Sequence, residues 1–330
     1  METILSSLLK NPALTYSSGL SALHAILTFL NPKNIAIGEG YHGCHGVVAI
    51  HQRLTGCRVH GLDCEPSALG AGDLICLETP VNPTGEAFNI EHYAAVAHSR
   101  GAYLLVDATF APPPLQDPFR HGADVVLHSG TKYIGGHSDL LCGVLAVARA
   151  EWVPKLVYDR LLIGAVMGGL ESWLGVRSVR TLELRILRQS QSAARIVDAL
   201  DGALTGHTVG TGLSQSDAAA INAVVAHVRH ASLQTADYKT WLRRQMPNGF
   251  GPVFTITMKS ADLAKRLPSK LNFFHHATSL GGVESLIEWR TLSDSTVTED
   301  VLRLSIGIED PQDLLDDLLQ GFRALVESQS

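Results

Sequence analysis

Ser129, Thr131 and Lys132 stand together in the stretch ADVVLHSGTKYIGGHSD, with Gly135 and Gly136 directly after them. Val125, Val126 and Leu127 form the short apolar run of a buried strand, so the hydroxyls and the amine lie just past a strand end. Hydroxyls and free amides in that position hold a phosphate. A lysine there forms a Schiff base with a carbonyl once its amine is desolvated and its pKa falls. Lys132 is the only lysine between Lys33 and Lys155. Taken alone, the pattern also describes a surface lysine after a strand, so its meaning rests on what else the chain brings to the same edge.

Three further polar residues follow apolar runs. Asp107 closes the run YLLV, where an unpaired carboxylate is costly and a cationic partner is welcome. Asn82 lies in the turn ETPVNP after the run LICL, and Tyr41 lies in GEGYHGCHG after Ile35–Ile37, a segment that reads as a loop. Ser18, Gly19 and Leu20 open an apolar-periodic segment ending at Asn31-Pro32; its first N–H groups attract an anion, or Ser18 is an ordinary helix cap. Phosphate-binding groups beside a reactive amine are what pyridoxal phosphate requires of a protein. His42, Cys44 and His45 match no zinc spacing, and no metal site is expected there.

The elements that must position these residues alternate. Helical periodicity covers Met1 to Lys10, Leu20 to Leu30 and Ile90 to Arg100, and strands are expected at 35–37, 74–77, 103–106, 125–127 and 141–147. This order predicts an α/β fold with a mostly parallel sheet, whose ligands bind beyond the carboxyl ends of the strands. A long amphipathic helix over Thr181 to Leu200 leads into a second, smaller α/β domain, with the division placed at 1–190 and 191–330. There Arg303 stands between Leu302 and Leu304 on an expected strand. It either faces water or clamps a carboxylate by two hydrogen bonds.

The chain has 330 residues, 45% hydrophobic and 18% charged, the balance of a folded globular protein. A net charge of −6 removes the basic footprint of a nucleic-acid binder. No charged residue occurs between Lys10 and Lys33, but serines, His24, Asn31 and two prolines interrupt that run, so a buried helix is expected rather than a membrane span. Five cysteines without a C-x-x-C pattern are expected to be reduced thiols of a cytoplasmic protein.

YSSGLSA, ETPVNP, VDATF, HSGTKYIGGHSD, SLGGVESL and LRLSIGIED, in this order, resemble the Cys/Met-metabolism family of pyridoxal phosphate enzymes, from about Leu14 to the C-terminus. The resemblance is nearest to cystathionine γ-synthase-like members of the fungal type. It implies a large domain of the aspartate aminotransferase type (fold type I) and a smaller C-terminal domain. It makes Lys132 the lysine that binds the cofactor covalently, Asp107 the partner of the pyridine nitrogen, Tyr41 the ring that stacks on it and Asn82 the neighbour of the ring oxygen. Ser18, Gly19, Leu20, Ser129 and Thr131 match the phosphate cup, and Arg303 with Ser279 matches the site for the substrate α-carboxylate. The implied activity is γ-replacement on an O-activated homoserine by a homo-oligomer. The alternatives are a γ-lyase and a non-catalytic homologue that partners a full-length paralogue.

Three departures from the family pattern carry expectations of their own. The family's N-terminal segment with a Tyr-x-Arg pair has no match before Leu14, which implies weaker cofactor retention by this chain alone and dimers in preference to tetramers. Leu20 replaces the usual methionine, a mild change because the backbone does the work. Thr278 stands for the usual glutamate, and Leu292, Ser293, Asp294 and Ser295 replace the usual M-T-H-A, which implies a different choice of substrate at the γ-position.

Overall fold

The computed structural model describes residues 1–294 and 296–328; Ser295, the last residue of the divergent stretch, lies outside the described residues. The chain packs into two units. The first comprises Met1–Asn82, Ala87–Glu183 and Ala236–Asn248, and the second Pro83–Glu86, Leu184–Thr235 and the chain from Gly249 onward.

In the first unit, seven strands form one sheet in the order β1-β7-β6-β5-β4-β2-β3. They are β1 (Ala13–Tyr16), β2 (Asn34–Ile37), β3 (Arg58–Gly61), β4 (Leu74–Glu78), β5 (Tyr103–Asp107), β6 (Val125–Ser129) and β7 (Gly143–Val147). The five strands from β3 to β6 run parallel, and β7 is antiparallel to both of its neighbours. β4, β5 and β6 are apolar almost without interruption because helices cover both faces of the sheet. Helices α1 (Glu2–Leu9), α2 (Gly19–Leu30), α3 (His42–Thr55) and α4 (Ile90–Ser99) precede α5 (Val153–Leu162) and α6 (Gly169–Val179). The buried side of α2, with Ala22, Leu23, Ile26 and Leu27, packs in one core with Leu74 and Cys76, Leu105, and Val125 and Leu127.

That core decides where the strand ends point. Side chains alternate along a strand, so residues two apart share a face. Cys76 and Glu78, Leu105 and Asp107, and Leu127 and Ser129 therefore present three polar residues on the α2 side of the sheet, at the carboxyl ends of adjacent strands. One sequence-based expectation is corrected here. Residues 42–46, read as a loop, are the first turns of α3, with Tyr41 as the residue before the helix. Gly43 and Gly46 suggested a loop, but Val47, Val48 and His51 bury a helical stripe that outweighs the glycines.

The second unit holds a five-stranded sheet in the order β10-β11-β12-β9-β8, from β8 (Val225–Arg229), β9 (Val253–Met258), β10 (His275–His276), β11 (Leu286–Trp289) and β12 (Val301–Ser305). Its pairs are antiparallel except β10 with β11. Residues of α7 (Leu182–Thr205), α8 (Gln215–Val224) and the C-terminal helix Pro311–Glu327 share one core with these strands, built on Ile196, Leu200, Phe254, Ile256, Leu304 and Phe322. Among the described residues no helix is long and apolar enough to cross a membrane. All five cysteines are free thiols.

Candidate active site

The parallel pairing of β4 with β5 sets Glu78 directly beside Asp107. The two line a recess together with Tyr41, Cys44, His45 and Cys76. Asp107 Oδ1 accepts from the backbone N–H of Thr109 at 3.0 Å and from its hydroxyl at 2.5 Å. Thr109 Oγ1 in turn accepts the N–H of Ser129 at 2.8 Å, which ties the end of β5 to the end of β6. Glu78 Oε2 accepts the N–H of Tyr41 at 2.8 Å, and Oε1 accepts the N–H of Asn82 at 2.7 Å.

Burial is the main cause that raises the pKa of both carboxyl groups. The neighbouring Asp107 charge adds to it at Glu78, which is pushed up to about 8. Burial also lifts the Cys76 thiol to about 12 and the Cys44 thiol well above its ordinary value, so neither is a ready nucleophile at neutral pH. Two adjacent half-buried carboxyl groups favour a cationic group beside them.

The start of α2 presents free backbone amides near Ser129. Ser18 is its cap, with its side chain accepting the N–H of Ser21 in a capping box. The amides of Gly19 and Leu20 are the first two of the helix and have no carbonyl within it to bond. A Cβ at Gly19 would meet Ser129 Cα and Cβ at 3.2 Å and Oγ at 3.4 Å, so the bare helix start lies against the Ser129 hydroxyl. The Thr131 hydroxyl accepts the N–H of Cys142 at 3.0 Å and lies 3.3 Å from the Cys142 carbonyl, which fixes its place in the turn between β6 and β7. Lys132 is half-buried in that turn, with its N–H bonded to the Ser129 carbonyl at 3.0 Å. Among the described residues no group of histidine, cysteine or acidic side chains could hold a metal ion.

In the second unit Arg303 faces inward, at 3% exposure. Its cross-strand partner is Glu288, at 1% exposure, whose Oε2 pairs with Arg303 Nη2 at 2.5 Å. The same Nη2 donates to the carbonyls of Thr278 at 2.5 Å and Ser279 at 3.2 Å. Glu288 also holds Arg290 at 2.9 Å and the Ser293 hydroxyl at 2.5 Å, and Arg290 pairs with Asp294 at 3.1 Å. Ser293 and Asp294, in the stretch that departs from the family pattern, are thus tied into a buried ionic cluster around Arg303.

The model of the Cys/Met metabolism PLP-dependent enzyme family matches residues 2–323. The chain belongs to this family. A cystathionine gamma-synthase of Mycobacterium tuberculosis is 35% identical over 326 residues, covering 93% of this chain and 79% of that protein. A cystathionine beta-lyase of Lactococcus lactis is 30% identical over 323 residues, covering 92% and 80%. The crystal structure of an apo methionine gamma lyase from Micromonospora echinospora superposes with a TM-score of 0.84 at 32% identity, covering 97% of this chain and 85% of that one. The protein is accordingly a pyridoxal phosphate-dependent enzyme with the family's α/β fold of type I. The donor set suits that cofactor: an adjacent pair of carboxyl groups for a protonated ring nitrogen, and helix amides with a serine hydroxyl for a phosphate.

Sequence reading passed over Glu78 and Thr109, although both lie in motifs it used, ETPVNP and VDATF. Glu78 ends an apolar strand as Asp107 does, and the same cost of burying a carboxylate would have found it. Thr109 carries no such signal, because its role depends on Ser129, 20 residues away.

Proposed function

We propose that this enzyme catalyses γ-replacement on an O-activated homoserine, with a thiol such as cysteine as nucleophile. The observation that carries the reading is the adjacent carboxyl pair Glu78 and Asp107 on the same sheet edge as the turn that bears Lys132. In this reading Lys132 binds the cofactor covalently. The Gly19 and Leu20 amides at the Ser18 cap, with Ser129 and Thr131, hold its phosphate. Asp107 keeps the ring nitrogen protonated, Tyr41 stacks on the ring and Asn82 lies at the ring oxygen. Bound pyridoxal phosphate supplies an electron sink for the bonds broken at the substrate α-carbon. Lys132 Nζ, released when the substrate amine takes its place, takes the α-proton and then carries a proton at the β-carbon. This opens the γ-carbon to loss of the leaving group and entry of the nucleophile. Arg303, with Ser279, holds the substrate carboxylate.

Replacement is favoured over elimination by the higher identity to the cystathionine gamma-synthase than to the beta-lyase, 35% against 30%. The likeness to a methionine gamma lyase structure favours elimination as the second reading. A homo-oligomer is supported by a run of exposed apolar side chains from Tyr158 to Trp173, and a cytoplasmic setting by the five free thiols.

The test supplies the purified chain with pyridoxal phosphate and O-succinylhomoserine, with and without cysteine. Cystathionine is the expected product with cysteine present. Formation of 2-oxobutyrate and ammonia alone in both mixtures overturns replacement in favour of elimination, and no product in either mixture overturns both. Lys132→Ala is expected to lower the rate by about 10²–10⁴-fold or more, since it removes the acid–base group. It is also expected to abolish the borohydride-trapped adduct on the peptide containing residue 132.

A further inference from the structure

Glu78 is a half-buried ionisable group that the mechanism above does not use. Its two oxygens are divided between two segments: Oε2 accepts the N–H of Tyr41 and Oε1 the N–H of Asn82. The approach of the Tyr41 loop is close. Gly40 has φ +148, and a Cβ there would lie 2.5 Å from Glu78 Oε2. The loop thus passes over the carboxylate with no room for a side chain, in a backbone conformation that glycine tolerates. The Tyr41 ring is held from its other side as well, since a Cβ on Gly43 would meet Tyr41 Cε1 at 2.5 Å. On the adjacent strand sits Asp107.

We propose that Glu78 is a positioning residue of the cofactor site, a two-sided brace that sets the Tyr41 ring and the Asn82 turn at the recess floored by Asp107. This rests on Tyr41 and Asn82 being neighbours of the cofactor ring. A carboxylate suits the task because each oxygen is an acceptor, whereas a glutamine has one acceptor oxygen and turns an NH₂ towards the other backbone N–H. The geometry also gives the brace a second role. A cationic ring nitrogen beside the pair draws Glu78 back towards its ionised form, which the two backbone donors also favour against burial, and the negative Glu78 then adds to the field that holds the ring nitrogen positive.

The test measures binding and spectra of the full chain. Apoprotein of the wild type, Glu78→Gln, Gly40→Ala and the double variant is titrated with pyridoxal phosphate. The Kd is read from the visible absorbance, and the orientation of the bound cofactor from its visible circular dichroism. Glu78→Gln is expected to raise the Kd by about ten- to a hundredfold, as loss of a charge-assisted hydrogen bond does. It is also expected to reduce the visible dichroism per bound cofactor while the far-ultraviolet spectrum stays unchanged. Gly40→Ala displaces the loop from the same carboxylate and is expected to act in the same direction. The double variant is expected to be no weaker than the worse single one, because both remove one interaction. Effects that multiply in the double variant overturn the brace, as does a Glu78→Gln protein with wild-type Kd and dichroism. Should Glu78→Gln fail to fold, Gly40→Ala decides alone: wild-type Kd and dichroism would overturn the proposal, and weakened binding with reduced dichroism would uphold it. A wild type that takes up no pyridoxal phosphate overturns the cofactor site assignment and the brace with it.

Discussion

His230 shows how a single buried ring makes the second unit sensitive to pH. Its Nε2 lies 3.1 Å from the Gly251 carbonyl, so that nitrogen carries the proton, and Nδ1 accepts the N–H of Ser232 at 3.3 Å. A second proton would find Nδ1 already facing a donor, and burial pushes the pKa down to about 4. The unfolded chain, with a histidine pKa of about 6.5, binds that proton first. The contribution to stability is therefore complete above about pH 6.5 and is lost as pH falls towards 4, at about 1.4 kcal/mol per unit and about 3 kcal/mol in all. His128 in the first unit, also shifted to about 4 by burial, acts in the same direction. His230→Gln is expected to show a smaller fall in Tm between pH 7 and pH 5 than the wild type. An equal fall in both would remove His230 from the account.

At the scale of the element, the start of α2 joins two duties. Its cap is satisfied within the chain by Ser18 and Ser21, which leaves the Gly19 and Leu20 amides for a ligand. Glycine at position 19 lets this end approach Ser129. Gly19→Ala would require the helix or β6 to give by a few tenths of an ångström, although alanine is the better helix former. The expected result is a two- to tenfold higher Kd for pyridoxal phosphate, roughly the worth of one neutral hydrogen bond, with little change in Tm. An unchanged Kd in the same titration would take the α2 start out of the phosphate cup.

The whole molecule exposes more apolar surface along α5 and α6 than scattered surface residues account for. Leu162 is 69% exposed and Trp173 63%, with Leu161, Val166 and Leu170 between or beside them. Exposed apolar side chains concentrated in one stretch of chain point to an interaction face. In the proposed assembly a second copy covers it, so wild-type chain is expected to sediment as a dimer or larger at micromolar concentration. The double substitution Leu162→Arg and Trp173→Lys is expected to sediment as a monomer with an unchanged far-ultraviolet spectrum. A monomeric wild type would dismiss the assembly.

Local sequence determined where the chemistry stands along the chain. Apolar runs lead to Asp107 and to the turn that opens at Ser129, so these polar groups stand at strand ends. The motif set also determined the family, since its members occur in order through nearly the whole chain. Only the tertiary structure decided which groups meet. Glu78 and Tyr41 are 37 residues apart, and Thr109 and Ser129 are 20 apart. Arg303 illustrates the same limit. Flanking leucines describe an arginine facing water as well as a buried one, and Glu288 across the strand pair selects the buried state by supplying the countercharge. The short segments Pro83–Glu86 and Ala236–Asn248 join the unit opposite to their chain neighbours without any shift in composition, because membership in a core is settled by long-range packing.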